Sequence, residues 1–151
     1  MANDQTYREA IVDALKEVII VIDGIEQVEV DRSTVVDIDT APMASCFVYA
    51  GPETRVTADN EATLGFETWD LVLVVEVWAF KSDIEYLLGK IHRAVNDDRF
   101  LIVDGTRLLS GTGIKRSGAD PQYFEATNEK KAMIITFLAR YHHTIGDMFV
   151  P

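Results

Sequence analysis

The sequence predicts an α+β domain, a mostly antiparallel β-sheet with two helices packed on one face. Two segments repeat apolar residues at helical spacing behind a capping sequence, and five segments have the apolar, β-branched character of strands. The helices are interspersed among the strands, which is typical of one sheet with helices on one side. We find no repeat, linker or low-complexity tract, so residues 1–151 are predicted to form a single domain.

The first helix is predicted to begin after Thr6, because Thr6 and Glu9 have the spacing of a capping box. Gly24 is a natural stop for this helix. Residues 18–22 are equally compatible with a strand. The apolar stripe of this helix comprises Ile11, Leu15, Val18, Ile19 and Ile22.

A second helix is predicted behind Ser82 and Glu85, another capping box, and ends at Asn96–Asp98. Its apolar face comprises Ile84, Leu87, Leu88, Ile91 and Val95. We expect Leu15, Ile19, Leu87, Leu88 and Ile91 to be buried. Replacing a buried leucine such as Leu88 by alanine is expected to cost about 2–5 kcal/mol.

Five strands and two loops account for most of the remaining chain. Both loops are polar and interrupted by Gly, Pro, Asp or Asn, so we expect them to be mobile in the free protein and to become ordered on docking. The predicted loops are Gly51–Gly65 and Ser110–Lys131. The predicted strands are Gln27–Asp31, Met43–Ala50, Glu67–Phe80, Phe100–Leu109 (with a turn at Asp104-Gly105) and Ala132–His143.

Two of the strands are apolar on both faces. Antiparallel strands with one wetted face alternate apolar and polar residues, but Glu67–Phe80 and Ala132–His143 are apolar on both sides over much of their length. Two helices can cover only one face of a sheet. We therefore expect a neighbouring subunit to cover the other face, with Trp78 and Phe80 as aromatic anchors.

Charge is unevenly distributed along the chain. The net charge is −11, and residues 1–98 hold 20 acidic and 7 basic residues, whereas residues 99–151 hold 5 and 7. So acidic a protein is disfavoured as a nonspecific nucleic-acid binder. One interpretation of the acidic charge is solubility alone. The other is that an acidic face of one copy meets the more basic C-terminal third of another copy, head to tail, as in rings. Candidate basic contacts are Arg107, Lys115, Arg116, Lys130 and Lys131.

The sequence predicts no enzyme, cofactor or metal site. His142 and His143 are adjacent on a predicted strand and point to opposite faces, so they cannot chelate one metal together. His92 has no motif that supplies a partner, and Cys46, the only cysteine, lies in an apolar strand without a visible base. The glycines near Gly111 lack the G-K-[ST] of a phosphate-binding loop. No stretch approaches the ~20 apolar residues that cross a membrane, and a secretory signal is not expected.

The order of elements resembles the tail terminator proteins of long-tailed phages, the family of the lambda minor tail protein U. The resemblance runs from Tyr7 to His143: a capped helix, a strand ending in Phe47–Gly51, and a polar loop. A long strand with two tryptophans then leads directly into the second helix, and the chain closes on Arg140–His143. It consists of element order and patterning, so no functional residue is carried over.

The resemblance implies a structural protein of the virion, made in the bacterial cytoplasm and placed at the head-proximal end of the tail. It implies a homo-oligomeric ring, usually a hexamer, that binds the last ring of the major tail-tube protein, stops its polymerisation and meets the head-completion or connector protein. DNA would only pass through the lumen. The alternatives are another tail-tube or neck ring component, or a small-molecule-binding or hydrolytic α+β domain with a pocket near His92 and Cys46.

Overall fold

The computed structural model describes residues 5–30, 44–56, 65–122 and 130–150, and for residues 120–122 and 130 it describes the backbone alone. The predicted α+β class is confirmed. The elements in chain order are α1 (Tyr7–Ile20), β1 (Gln27–Val30), β2 (Ser45–Val56), β3 (Phe66–Phe80), α2 (Ile84–Asp97), β4 (Ile102–Val103), β5 (Thr106–Arg107), β6 (Ile114–Gln122) and β7 (Lys130–Thr144).

The main sheet has five strands in the order β1-β2-β3-β7-β6, and its pairs are antiparallel except for the parallel pair β1–β2. Strands β3 and β7 pair without a break from Phe66 opposite Thr144 to Phe80 opposite Lys130. Strands β4 and β5 form a separate hairpin around the predicted turn at Asp104-Gly105. Both helices contact the same face of the main sheet.

The predicted capping box of α1 is confirmed. The backbone N–H of Glu9 donates to Thr6 Oγ1 at 3.3 Å, and the backbone N–H of Thr6 donates to Glu9 Oε2 at 2.9 Å. The helix continues to Ile20. Of residues 18–22, which were compatible with either a helix or a strand, residues 18–20 are therefore helical. Gly24 follows with φ of +97°, the left-handed conformation that favours glycine.

The capping box predicted for α2 is wrong. The N-cap residue is Asp83 rather than Ser82, and no side chain caps the helix. The N–H of Asp83 already donates to the carbonyl of Phe80 at 2.9 Å, within a tight turn that follows β3 directly. Because Asp83 has φ −105° and ψ −19°, the backbone enters the helix without the extended residue that a capping box requires. The helix ends at Asp97, as expected.

The core lies between the two helices and one face of the sheet. Four of the five helical residues predicted to be buried are buried, namely Leu15, Ile19, Leu87 and Ile91. Leu88 is only partly buried, because the buried stripe of α2 runs through Ile84, Leu87, Ile91 and Val95 and leaves Leu88 at its margin. The cost predicted for a buried leucine therefore applies to Leu87, and the prediction for Leu88 is too high.

Both predicted loops contain strand. Residues Gly51–Val56 continue β2 beyond a register shift between Ala50 and Glu53. Half of the second predicted loop is β6 and the start of β7. The prolines of these segments account for the error: Pro52 lies in the register shift of β2 between Ala50 and Glu53, and Pro121 lies on β6, whose only partner in the described sheet is β7. Proline is tolerated at bulges and on edge strands. Residues 57–64 and 123–129 lie outside the described residues.

Within the described ranges, neither helix is long and apolar enough to cross a membrane.

Candidate interaction surface

The two faces of β3 differ as the sequence predicted. On the face toward the helices, Leu71, Leu73, Val75 and Val77 are all fully buried in the main core. Their neighbours Val72 and Val74 point the other way and are partly buried. The alternation follows from the period of a strand, in which successive side chains project to opposite faces.

The face of the main sheet opposite the helices is here called the outer face. Its apolar centre crosses three strands, and Val72 on β3 pairs directly with Leu138 on β7. Neither helix contacts this face, whose apolar side chains share no position with the main core. The apolar residues of the outer face are Phe47, Tyr49, Val56, Phe66, Val72, Val74, Trp78, Phe80, Ala132, Ile134 and Leu138.

One end of the outer face forms a small core of its own. Phe47, Trp78 and Ala132 are buried together, with Tyr49 packed against them. The indole N–H of Trp78 donates to Oε1 of the buried Glu76 at 2.6 Å. Trp78 is thus only 5% exposed within its own chain. The sequence placed it correctly on the outer face, but its predicted role as an anchor for another subunit is untested.

The opposite end of the outer face is polar. Arg140 donates two hydrogen bonds to Asp70, from Nε to Oδ1 at 2.8 Å and from an Nη to Oδ2 at 2.9 Å. These hydrogen bonds, with the charges of Arg140 and Lys115, hold the pKa of the Asp70 carboxyl below its ordinary value and outweigh its partial desolvation. Paired side chains facing each other across β3 and β7 thus fix a charged margin beside the apolar centre.

Asp70→Asn is expected to reduce stability at neutral pH and to flatten its dependence on pH in acid. A carboxyl whose pKa is lower in the folded state stabilises the protein above the unfolded pKa, and this stability is lost as pH falls through the folded pKa. Urea unfolding between pH 2 and 7 measures the effect. Asp104→Asn, in the exposed β4–β5 turn, is the control. An identical pH profile for wild type and Asp70→Asn would contradict the assignment.

The five predicted basic contacts do not form one cluster. Lys115 and Arg116 are adjacent and exposed on β6, where Lys115 is close enough to Asp70 to affect its pKa. Lys131 is partly buried at the start of β7, and the side chain of Lys130 lies outside the described residues. Arg107 is on the β4–β5 hairpin, with its guanidinium 4.3 Å from the Phe100 ring centre. Phe80, the other predicted anchor, is partly buried at the end of β3.

Cys46 and His92 occupy different environments. Cys46 is fully buried in the main core, and this burial raises the pKa of its thiol to about 12. The thiol therefore remains protonated and unreactive at neutral pH. His92 is exposed on α2. These two positions give the hypothesis of a binding or hydrolytic pocket no support.

A cluster that the sequence analysis missed joins α1 to β2, β3 and β7. The Tyr141 hydroxyl donates to Glu53 Oε1 at 3.1 Å, and Arg8 forms an ion pair with the same oxygen at 3.3 Å. Tyr7 stacks on Tyr141 with the ring centres 5.6 Å apart. Desolvation and the Glu53 charge raise the pKa of Tyr141 far above its ordinary value, so its phenol stays neutral. The one feature of the sequence that could have indicated this cluster is the aromatic residue Tyr7 in the first turn of α1.

His143 extends this cluster. It is 5% exposed, whereas its neighbour His142 is exposed, so the prediction that they point to opposite faces is confirmed. The His143 Nδ1 lies 2.8 Å from the carbonyl oxygen of Thr144, and Nε2 lies 3.9 Å from Glu67 Oε2. Tyr7 and Arg8 of α1 thus contact Tyr141 and Glu53 of the sheet, so the cluster attaches α1 to the sheet. Among the described residues, no three His, Cys, Asp or Glu side chains are grouped to hold a metal ion.

Comparison of the sequence with models of known protein families and with curated proteins found no match. The fold and its surfaces define an α+β protein with one helix-covered sheet face and one outer face that the helices leave uncovered.

Proposed function

We propose that the chain is a structural subunit of a bacteriophage tail, a tail terminator that assembles into a ring on the last ring of tail-tube subunits. In this role it stops polymerisation of the tube and presents a surface to the head-side connector. It acts at the head-proximal end of the virion tail, after synthesis in the bacterial cytoplasm. The proposal assigns the chain no catalysis and no cofactor.

The outer face is the observation that carries the proposal. Its centre holds aliphatic side chains of β3 and β7, and both helices contact the other side of the sheet. These side chains are partly buried and still partly accessible in the isolated chain. Contiguous apolar surface that stays accessible marks interaction sites in soluble proteins. A polar margin at Asp70 and Arg140 borders the apolar centre, as a polar rim borders the core of an interface.

The charge distribution supports contacts between unlike surfaces. Lys115 and Arg116 lie on β6, at one edge of the main sheet, and the exposed Glu29 lies on β1, at the other edge. Contacts between two different surfaces of one protein generate rings when the rotation closes. Exposed ion pairs contribute only about 0–1 kcal/mol each and are screened by salt. Apolar burial therefore supplies the affinity, while charge sets the register and the rate of assembly.

Tail completion in vitro tests the proposal. Growing tail tubes are mixed with the folded protein, and tube length, end occupancy and competence to join heads are measured. The expected result is that tubes stop at uniform length with the protein at one end. Tubes that lengthen unchecked while the folded protein fails to bind their ends would overturn the proposal. Binding along the tube wall or at the head alone would instead favour another tail-tube or neck component.

A further inference from the structure

An apolar groove lies between the C-terminal half of α1, the end of α2 and the β4–β5 hairpin. Its volume is about 400 Å³. The side chains of Val21, Ile102 and Val103 along it are 79%, 50% and 41% exposed, respectively. The full lining is Ala14, Glu17, Val18, Val21, Ala94, Asp98, Ile102 and Val103. The groove is thus an exposed apolar surface on the helical side of the molecule, separate from the outer face.

A second exposed apolar surface is formed by the segment that follows β7. Ile145, Met148 and Phe149 are 47%, 53% and 49% exposed, respectively. The backbone of this segment is nevertheless fixed: the N–H of Tyr7 donates to the carbonyl of Met148 at 3.0 Å, and the N–H of Val150 donates to the carbonyl of Gln5 at 3.0 Å. A fixed backbone reduces the entropy cost of using Met148 and Phe149 to bind another molecule.

The two apolar surfaces lie at opposite ends of α1. The segment is hydrogen-bonded beside Tyr7, at the first turn, while Val18 and Val21 at the last turn line the groove. At 1.5 Å per residue the two ends of this helix are separated by roughly 20 Å. Met148 and Phe149 therefore do not reach the groove of their own chain. Two different surfaces displayed in this way are what a head-to-tail contact between identical subunits requires.

We propose that Met148 and Phe149 of one copy insert into the groove of the next copy. This inference rests on the proposed ring and identifies one of its subunit contacts. Both side chains are unbranched at Cβ and apolar, which suits a groove whose lining is apolar except for Glu17 and Asp98. Within the segment, the N–H of Phe149 donates to Oδ1 of Asp147 at 3.1 Å, which further fixes the backbone that presents the two side chains.

Mixed cysteine cross-linking tests the contact directly. Val21→Cys and Met148→Cys are made as separate variants, and each is oxidised alone and in an equimolar mixture. Both positions are exposed, so the fold is expected to tolerate the changes. Cys46 is fully buried and does not interfere. The expected result is a disulfide-linked dimer in the mixture and none in either variant alone. Tyr86→Cys, exposed on α2, replaces Val21→Cys in the control mixture, which is expected to yield no dimer.

Three outcomes would overturn the contact. Dimers of Val21→Cys alone would mean that the groove of one copy meets the same groove of another copy. Equal dimer yields when Tyr86→Cys replaces Val21→Cys in the mixture would mean that the disulfides form by random collision. Absence of a mixed product would mean that the segment with Met148 and Phe149 does not enter the groove. A basic amphipathic partner would then better fit the groove carboxylates Glu17 and Asp98. If the wild-type protein still forms rings or caps tubes in these cases, the proposed function stands. If wild type does neither, the proposed function itself fails.

Discussion

Leu73→Ala is expected to destabilise the protein by about 2–5 kcal/mol, because it removes a fully buried side chain from the centre of the main core. Leu73 lies opposite Phe137 in the β3–β7 pair, and both side chains face the helices. A loss of that size is a large share of the about 5–15 kcal/mol that stabilises a typical domain. Urea unfolding followed by circular dichroism measures it.

Leu138→Ala is the matched control for this experiment. It makes the same substitution on the neighbouring strand, but at a partly buried position of the outer face. Its cost is expected to be clearly smaller, since less apolar area is lost from the isolated chain. Equal costs for the two variants would contradict the assignment of the main core to the helical side.

Val72→Thr combined with Val74→Thr is expected to weaken assembly on tail tubes by at least tenfold while leaving the isolated subunit folded. Both valines lie on the outer face and are partly buried. Threonine keeps the shape of valine but adds a hydroxyl, and burying a hydroxyl without a hydrogen-bond partner costs about 1–3 kcal/mol per site. Most of that cost arises only when another molecule covers the outer face, because both side chains are partly accessible in the isolated subunit.

Val75→Thr is the comparison, because it makes the same substitution on the same strand, β3, but on the face toward the helices. Val75 is fully buried against the helical side, so the expected effect is lower stability with tube binding retained by the folded fraction. End binding by electron microscopy and melting temperature are measured for both variants. Normal tube capping by the Val72→Thr, Val74→Thr double variant would exclude the outer face as the interface.

The elements that the sequence predicted well are those fixed by local chemistry. Thr6 and Glu9 determine the start of α1 through hydrogen bonds within one turn, and the apolar spacing of β3 determines which residues face the helices. The errors arose where the surroundings override local preference. Pro52 and Pro121 resembled loop residues, but Pro52 lies in the register shift of β2 and Pro121 lies on the edge strand β6, positions where a sheet tolerates proline.

The candidate surfaces were only partly accessible from the sequence. The outer face was predicted because both strand faces are apolar. The burial of Trp78 depends on Phe47 and Ala132, which are far apart in the sequence and meet only through the register of the sheet. The groove depends on the docking of the β4–β5 hairpin beside α1, a contact between segments some 80 residues apart. Contacts between segments so far apart in the sequence cannot be predicted from a local pattern of residues.

The uninterrupted pairing of β3 with β7 has a consequence for synthesis of the chain. Val74 pairs with Thr136, 62 residues later. At about 5–20 residues per second of translation, Val74 of β3 is synthesised roughly 3–12 s before its partner residue. During that interval a strand that is apolar on both faces lacks one of its two neighbours. Nascent chains are therefore most exposed to misfolding and association after β3 is complete and before β7 closes the sheet.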